Sequence, residues 1–195
     1  MNRRQRTAIL ISGRGSNMAA LIEAAREPDF PAEIVLVLSD RSDAGGLALA
    51  RRAGIATAAI DRKIYAGRDE FEAAMQAMLD IHRIELICLA GFMRILGGPF
   101  VLRWRGRIIN MHPSLLPAFR GLNTHARAIA AGAKEHGCTV HFVEPELDSG
   151  PIIAQARLAM ISGESQQALA DRVLALEHEL YPKALAQVAA EPHRL

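Results

Sequence analysis

Two cysteines in 195 residues, Cys88 and Cys138, are too few for a disulfide framework. Each lies in an apolar, strand-like segment, the setting of a buried reduced thiol in a reducing compartment. Neither belongs to a CxxC pair, and the seven histidines show no HExxH spacing, so no metal site is expected. An excess of charge is missing too. Lys and Arg number 23 against 21 Asp and Glu, a formal net charge of +2, which gives little basis for attraction to nucleic acid. Arg3, Arg4 and Arg6 form a basic start that reads as a solvated tail rather than a nucleic-acid arm. No apolar run approaches the ~20 residues of a membrane span, and the N-terminus has no secretory h-region. Internal repeats and low-complexity stretches are also absent. These absences leave a soluble, cytoplasmic protein forming a single domain over residues 1–195, long enough to bury a core of its own.

What is present is a βαβ rhythm. Apolar, β-rich runs recur at 7–12, 33–39, 56–60, 85–90, 107–111 and 138–143, most of them separated by segments with helical spacing at 17–26, 45–53 and 69–82. Several runs, Ile9-Leu10-Ile11 and Leu86-Ile87-Cys88-Leu89 among them, are continuously apolar, as central strands of a parallel sheet covered on both faces must be. The expected fold is α/β: a Rossmann-like, open, mostly parallel sheet with helices on both faces. Gly54 is placed to close the second helix as its C′ residue. The rhythm then breaks. Residues 113–124 are too rich in Pro and Gly for a regular element, and Thr124 is positioned to cap a short helix ending near Gly132. Strands at 138–143 and 152–160 joined through 144–150 predict that this end of the sheet turns antiparallel. A final helix over 164–190 would be kinked or interrupted at Pro182.

Three groups suited to acyl chemistry lie near strand ends. Asn110 and His112 alternate with Met111 behind the apolar run Ile108-Ile109, so on extended backbone both side chains leave the same face. An amide and a charged imidazole converging on one point would stabilise an oxyanion, an effect worth roughly 3 to 4 kcal/mol per donor. Asp148, in Leu147-Asp148-Ser149-Gly150, is suited to pair with the imidazole and relay protons, or to be simply a turn residue. Pro113 and Pro117 stiffen the chain beside His112. His125 and His141 are competing imidazoles, read as supporting residues. Ser12-Gly13-Arg14-Gly15-Ser16-Asn17 joins the first strand to the first helix, where backbone N–H groups and the helix dipole attract anions. Met18 occupies the third glycine position of a dinucleotide fingerprint and no Walker lysine is present, which favours a monophosphate. A plain tight turn capped by Ser16 or Asn17 is the alternative. Gly91 to Leu96 follows a strand end, where its apolar residues would either suit a flat ring or pack in the core.

Taken together, the blocks 11–17, 89–96, 110–117 and 137–142 leading into 147–151 resemble the folate-dependent glycinamide ribonucleotide formyltransferases of purine biosynthesis. The likeness runs from Ile9 through the segment 177–182. It implies transfer of a formyl group from 10-formyltetrahydrofolate, as co-substrate, to the amine of glycinamide ribonucleotide, with Asn110, His112 and Asp148 as the catalytic trio. It further implies that Gly15, Ser16, Asn17 and Glu177 hold the ribonucleotide. The folate would be held by Met93, Arg94, Ile95 and Leu96, by Glu144, Pro145, Glu146, Leu147 and Asp148, by Asn110, and by Arg68 at its glutamate tail. Without the resemblance, Glu177 would read as one exposed carboxylate on a long helix. Met111, where isoleucine is frequent in the family, is the one departure inside a catalytic block. Expected partners are small molecules, with neither nucleic acid nor membrane, and the chain would be a monomer or homodimer. Formyltetrahydrofolate hydrolases and other folate formyltransferases share the trio but usually carry an additional domain, for which this length leaves no room. A non-catalytic binding module that kept the fold is the other alternative, and the intact trio speaks against it.

Overall fold

A computed structural model describes residues 3–191. In chain order the elements are β1 (Gln5–Ile11), α1 (Ser16–Ala24), β2 (Ala32–Ser39), α2 (Gly45–Arg52), β3 (Ala56–Ala59), a 3-10 turn (Arg62–Ile64), α3 (Arg68–Ile81) and β4 (Leu86–Leu89). They continue with α4 (Gly98–Arg103), β5 (Ile108–His112), α5 (Thr124–Ala130), β6 (Glu135–Phe142), β7 (Ile152–Ala159) and α6 (Gln166–Ala190). One seven-stranded sheet has the order β3-β2-β1-β4-β5-β6-β7. The first five strands pair in parallel, while β5–β6 and β6–β7 are antiparallel, as the sequence predicts.

Strand alternation divides the core into two layers. Ile9 and Ile11 of β1, with Ile109 and Met111 of β5, pack on the side covered by α1, α2 and α6. Ala8, Leu10 and Ile108 face the opposite side, covered by α3 and α4. In α6 the residues Leu169, Val173, Glu177, Tyr181 and Leu185 recur every four positions and are all buried, so one carboxylate rides in an apolar stripe. The Tyr181 hydroxyl donates to the carbonyl of Leu89 at 2.9 Å, pinning α6 to the end of β4.

Several boundaries depart from the sequence reading. Arg6 lies within β1, its backbone N–H donating to Glu85 and its Nε to the His82 carbonyl, and Arg4 donates to the carbonyls of Ala25 and Ala32. These two side chains are thus tied to the fold rather than forming a solvated tail. β6 begins at Glu135, ahead of Cys138, because Gly137 packs where a Cβ would sit 2.0 Å from the Ala156 carbonyl oxygen. Here glycine marks close strand contact, not a turn. α4 was not anticipated at all: six residues are too few for periodicity, and Pro99 in its first turn is the only start signal. Thr124 is the first residue of α5 rather than its cap; Asn123 holds that place with φ 56° and no side-chain cap bond. Helix α6 runs through Pro182 without interruption, since packing along its buried stripe outweighs one missing backbone donor. Gly54 does close α2, with φ 78°, and the N–H groups of Gly54 and Ile55 return to the carbonyls of Arg51 and Ala50.

Candidate active site

Between β1 and β4 the strand order reverses direction, the place where open α/β sheets open a crevice at their carboxyl ends. Two bonds tie its floor together: Ser12 N–H donates to the Gly91 carbonyl at 3.1 Å, and Met93 N–H donates to Ser12 Oγ at 2.8 Å. A cleft of about 610 Å³ opens there, lined by Asn17, the segment 91–96, Asn110, His112, His141, Asp148 and Glu177, among others.

The trio converges in this cleft. Asn110 and His112 project from the same face of β5, as their alternation with Met111 requires. Asp148 reaches back from the β6–β7 connection, where its backbone is left-handed at φ 49°. Its Oδ2 accepts the Gly121 N–H at 2.8 Å and lies 3.4 Å from His112 Nδ1. The other ring nitrogen of His112, Nε2, is 3.0 Å from the Phe119 carbonyl. Each nitrogen therefore faces an acceptor. With both ring nitrogens engaged, no His112 N–H is left over for a substrate oxygen until the Phe119 carbonyl is displaced. Asn110 has one, because its Nδ2 uses a single hydrogen on His141 Nε2, 3.2 Å away.

His141, read from the sequence as a supporting imidazole, also lines this cleft. It lies directly across from Asn110 in the β5–β6 ladder, a relation invisible until the antiparallel register is known. Its Nδ1 donates to the Phe142 carbonyl at 2.8 Å. Burial lowers its pKa, so the 3.7 Å approach of Nε2 to Asp148 Oδ1 joins a neutral ring to a carboxylate and is no ion pair.

Of the residues expected to hold a ribonucleotide, Asn17 and Glu177 meet in this cleft, while Gly15 and Ser16 do not line it. Asn17 Nδ2 donates to Glu177 Oε2 at 2.7 Å, and burial raises the Glu177 pKa against the opposing effect of that bond. Gly15, φ 78°, is the N-cap of α1 and brings no side chain to it, so the first-turn N–H groups are left for another acceptor. Ser16 and Asn17 therefore do not cap it. Segment 91–96 divides its labour: Phe92 and Leu96 enter the core, while Met93 and Ile95 are exposed along the cleft. Leu122 and Leu147 add further exposed apolar surface to its walls, enough for a flat ring to cover. Arg94 donates to the buried Asp40 at 2.6 Å, an anchor for which the sequence carried no signal. With Met93 and Ile95 it is shared with an adjoining cavity of about 380 Å³ that Arg62 and Arg68 also line. Glu144 lines the main cleft and Arg105 pairs with it at 3.0 Å. Pro145 and Glu146 are exposed, with Glu146 paired to Arg120.

Neither cysteine is equipped as a nucleophile. Burial pushes both thiols up, that of Cys138 to about 12.

The family model described as formyl transferase matches residues 5–185. The chain belongs to that family. Among solved structures, phosphoribosylglycinamide formyltransferase from Brucella melitensis is 53% identical with a TM-score of 0.93, covering 98% of this chain and 99% of that one. The Escherichia coli (strain K12) protein named phosphoribosylglycinamide formyltransferase is 41% identical over 181 residues, 93% of this chain and 85% of its own length. The trifunctional purine biosynthetic protein adenosine-3 of Gallus gallus is 49% identical over 185 residues, and there the chain spans only 18% of the relative. At that TM-score the Brucella melitensis structure shares the mixed sheet described above.

Proposed function

We propose that the chain transfers a formyl group from 10-formyltetrahydrofolate to the amine of 5-phosphoribosylglycinamide, releasing formylglycinamide ribonucleotide and tetrahydrofolate in de novo purine synthesis. The observation that carries this reading is the position of Asn110, His112 and Asp148 in one cleft that the Asn17–Glu177 pair and the exposed Met93 and Ile95 also line.

The ribonucleotide phosphate sits at the start of α1, on Gly15, Ser16 and Asn17, and Glu177 reaches the sugar. The folate ring lies along Met93, Ile95, Leu96 and Leu147, with Asn110 and the 144–148 loop around it. The Arg94 and Arg68 guanidiniums take the carboxylates of its tail. The amine nitrogen attacks the formyl carbon, forming the new C–N bond with no covalent enzyme intermediate. Asn110 donates to the developing oxyanion and His112 supplies positive charge beside it. The C–N bond to the folate then breaks, and the proton lost by the amine reaches the departing folate nitrogen through a water held by Asp148. The enzyme acts on small molecules in the cytoplasm as a monomer or homodimer.

The test is the folate absorbance change on mixing protein, formyl donor and ribonucleotide. Turnover that requires the ribonucleotide is the expected result. Release of tetrahydrofolate without it would make the protein a hydrolase, and no change with either would leave a binding module.

A further inference from the structure

The geometry points to His141 as the positioning residue that decides which end of the Asn110 amide faces the formyl oxygen, an inference that rests on the formyl-transfer reading above. An amide is nearly symmetric in shape, yet only its NH2 end stabilises an oxyanion, whereas the oxygen end repels one. Something must select between the two.

His141 does so through a chain of fixed hydrogens. The Phe142 carbonyl accepts but never donates, so Nδ1, 2.8 Å away, carries the ring hydrogen. In a neutral ring Nε2 is then a bare lone pair, and at 3.2 Å from Asn110 it accepts from Nδ2. One amide hydrogen is consumed there, and the second remains for the substrate. The ladder enforces the meeting, because Asn110 and His141 are register partners on β5 and β6. With His141 only 2% exposed, water does not compete for Nε2. The charged or titratable groups facing the ring are Asp148 from the β6–β7 connection and His112 from β5; burial, the largest effect, opposes a second proton on the ring and His112 adds to it, while the Phe142 carbonyl and Asp148 favour one. A proton gained at Nε2 would set N–H against N–H, and the amide would turn its oxygen to the ring. The donor aimed at the substrate would then be lost, so kcat should fall on the acid side, below the ordinary histidine range.

Two measurements test this. In 15N-histidine-labelled wild-type protein at neutral pH, His141 should be the Nδ1–H tautomer; the Nε2–H tautomer overturns the inference whatever any variant does. In formyl-transfer assays, His141→Leu should lower kcat about 10- to 100-fold with both KM values within about twofold, since a donor is misdirected rather than a pocket damaged. His141→Gln, which can place an oxygen where Nε2 lies, should recover most of the loss. Unimpaired kcat in His141→Leu, or equal losses in the two variants, overturns the positioning role while leaving formyl transfer standing. A wild-type protein inactive with both substrates overturns both.

Discussion

Asp148 pairs its left-handed backbone, φ 49°, with a carboxylate that serves both Gly121 N–H and the His112 ring. Asparagine tolerates that conformation as well as aspartate does, so Asp148→Asn can keep the backbone and the bond to Gly121 while removing the negative charge. We expect kcat to fall at least about 100-fold with little change in melting temperature, and near wild-type turnover would remove Asp148 from proton transfer. His136 invites a different measurement. It is buried against His125, its Nε2 3.1 Å from His125 Nδ1, and burial, with the charge of neighbouring histidines, lowers its pKa from 6.5 to about 4. Since the unfolded chain binds this proton more readily than the folded one, the contribution is intact above 6.5 and is lost as pH falls from there toward 4. Roughly 2 kcal/mol should disappear between about pH 7 and pH 5, read from urea midpoints at the two values. The His136→Gln variant should show a flatter dependence, and an identical slope would assign the acid sensitivity to other groups.

At the scale of elements, what the sequence made legible was whatever one strand or helix settles alone. Asn110 and His112 alternate with Met111, and that local fact already placed two polar side chains on one face of β5. The continuous apolar runs of β1 and β4 likewise announced strands buried on both faces. What stayed hidden depends on which elements become neighbours: the His141 cross-strand partner, the Asp40 anchor of Arg94, and Glu177 facing inward among apolar residues of α6. The turn before α1 shows the same division. Its glycines are local to the sequence, but the reason for Gly15 is α2, whose Gly46 Cα would lie 3.0 Å from an added Cβ. With φ 78° in addition, Gly15→Ala should destabilise the fold by about 1 to 3 kcal/mol in chemical denaturation and raise KM for the ribonucleotide more than that for the folate. Equal changes in the two KM values would mean that this turn does not carry the phosphate.

For the whole molecule, the decisive feature is that no single half of the sheet owns the cleft. The parallel half supplies Asn17 and Arg94, the antiparallel half His141 and Asp148, and α6 crosses over to bring Glu177 against Asn17. Ligands seated there bridge segments far apart in sequence, so each should stabilise the native state as a unit. At a concentration one hundred times its dissociation constant a ligand adds about 2.7 kcal/mol. For a chain of this size that corresponds to a rise in melting temperature of roughly 5 to 10 °C. The ribonucleotide and a non-transferable folate analogue should each produce such a rise, and Glu177→Gln should separate them. The glutamine keeps the volume of the buried side chain and retains a partner for Asn17, whose Oδ1 is buried without one, so the free protein should melt near the wild-type temperature. It removes the acceptor pair proposed to meet the sugar, so the shift produced by the ribonucleotide should shrink to less than about half, while that produced by the folate analogue stays unchanged. A variant in which both shifts fall together would mean that Glu177 supports the cleft rather than recognising the ribonucleotide, and one in which neither falls would place the sugar elsewhere.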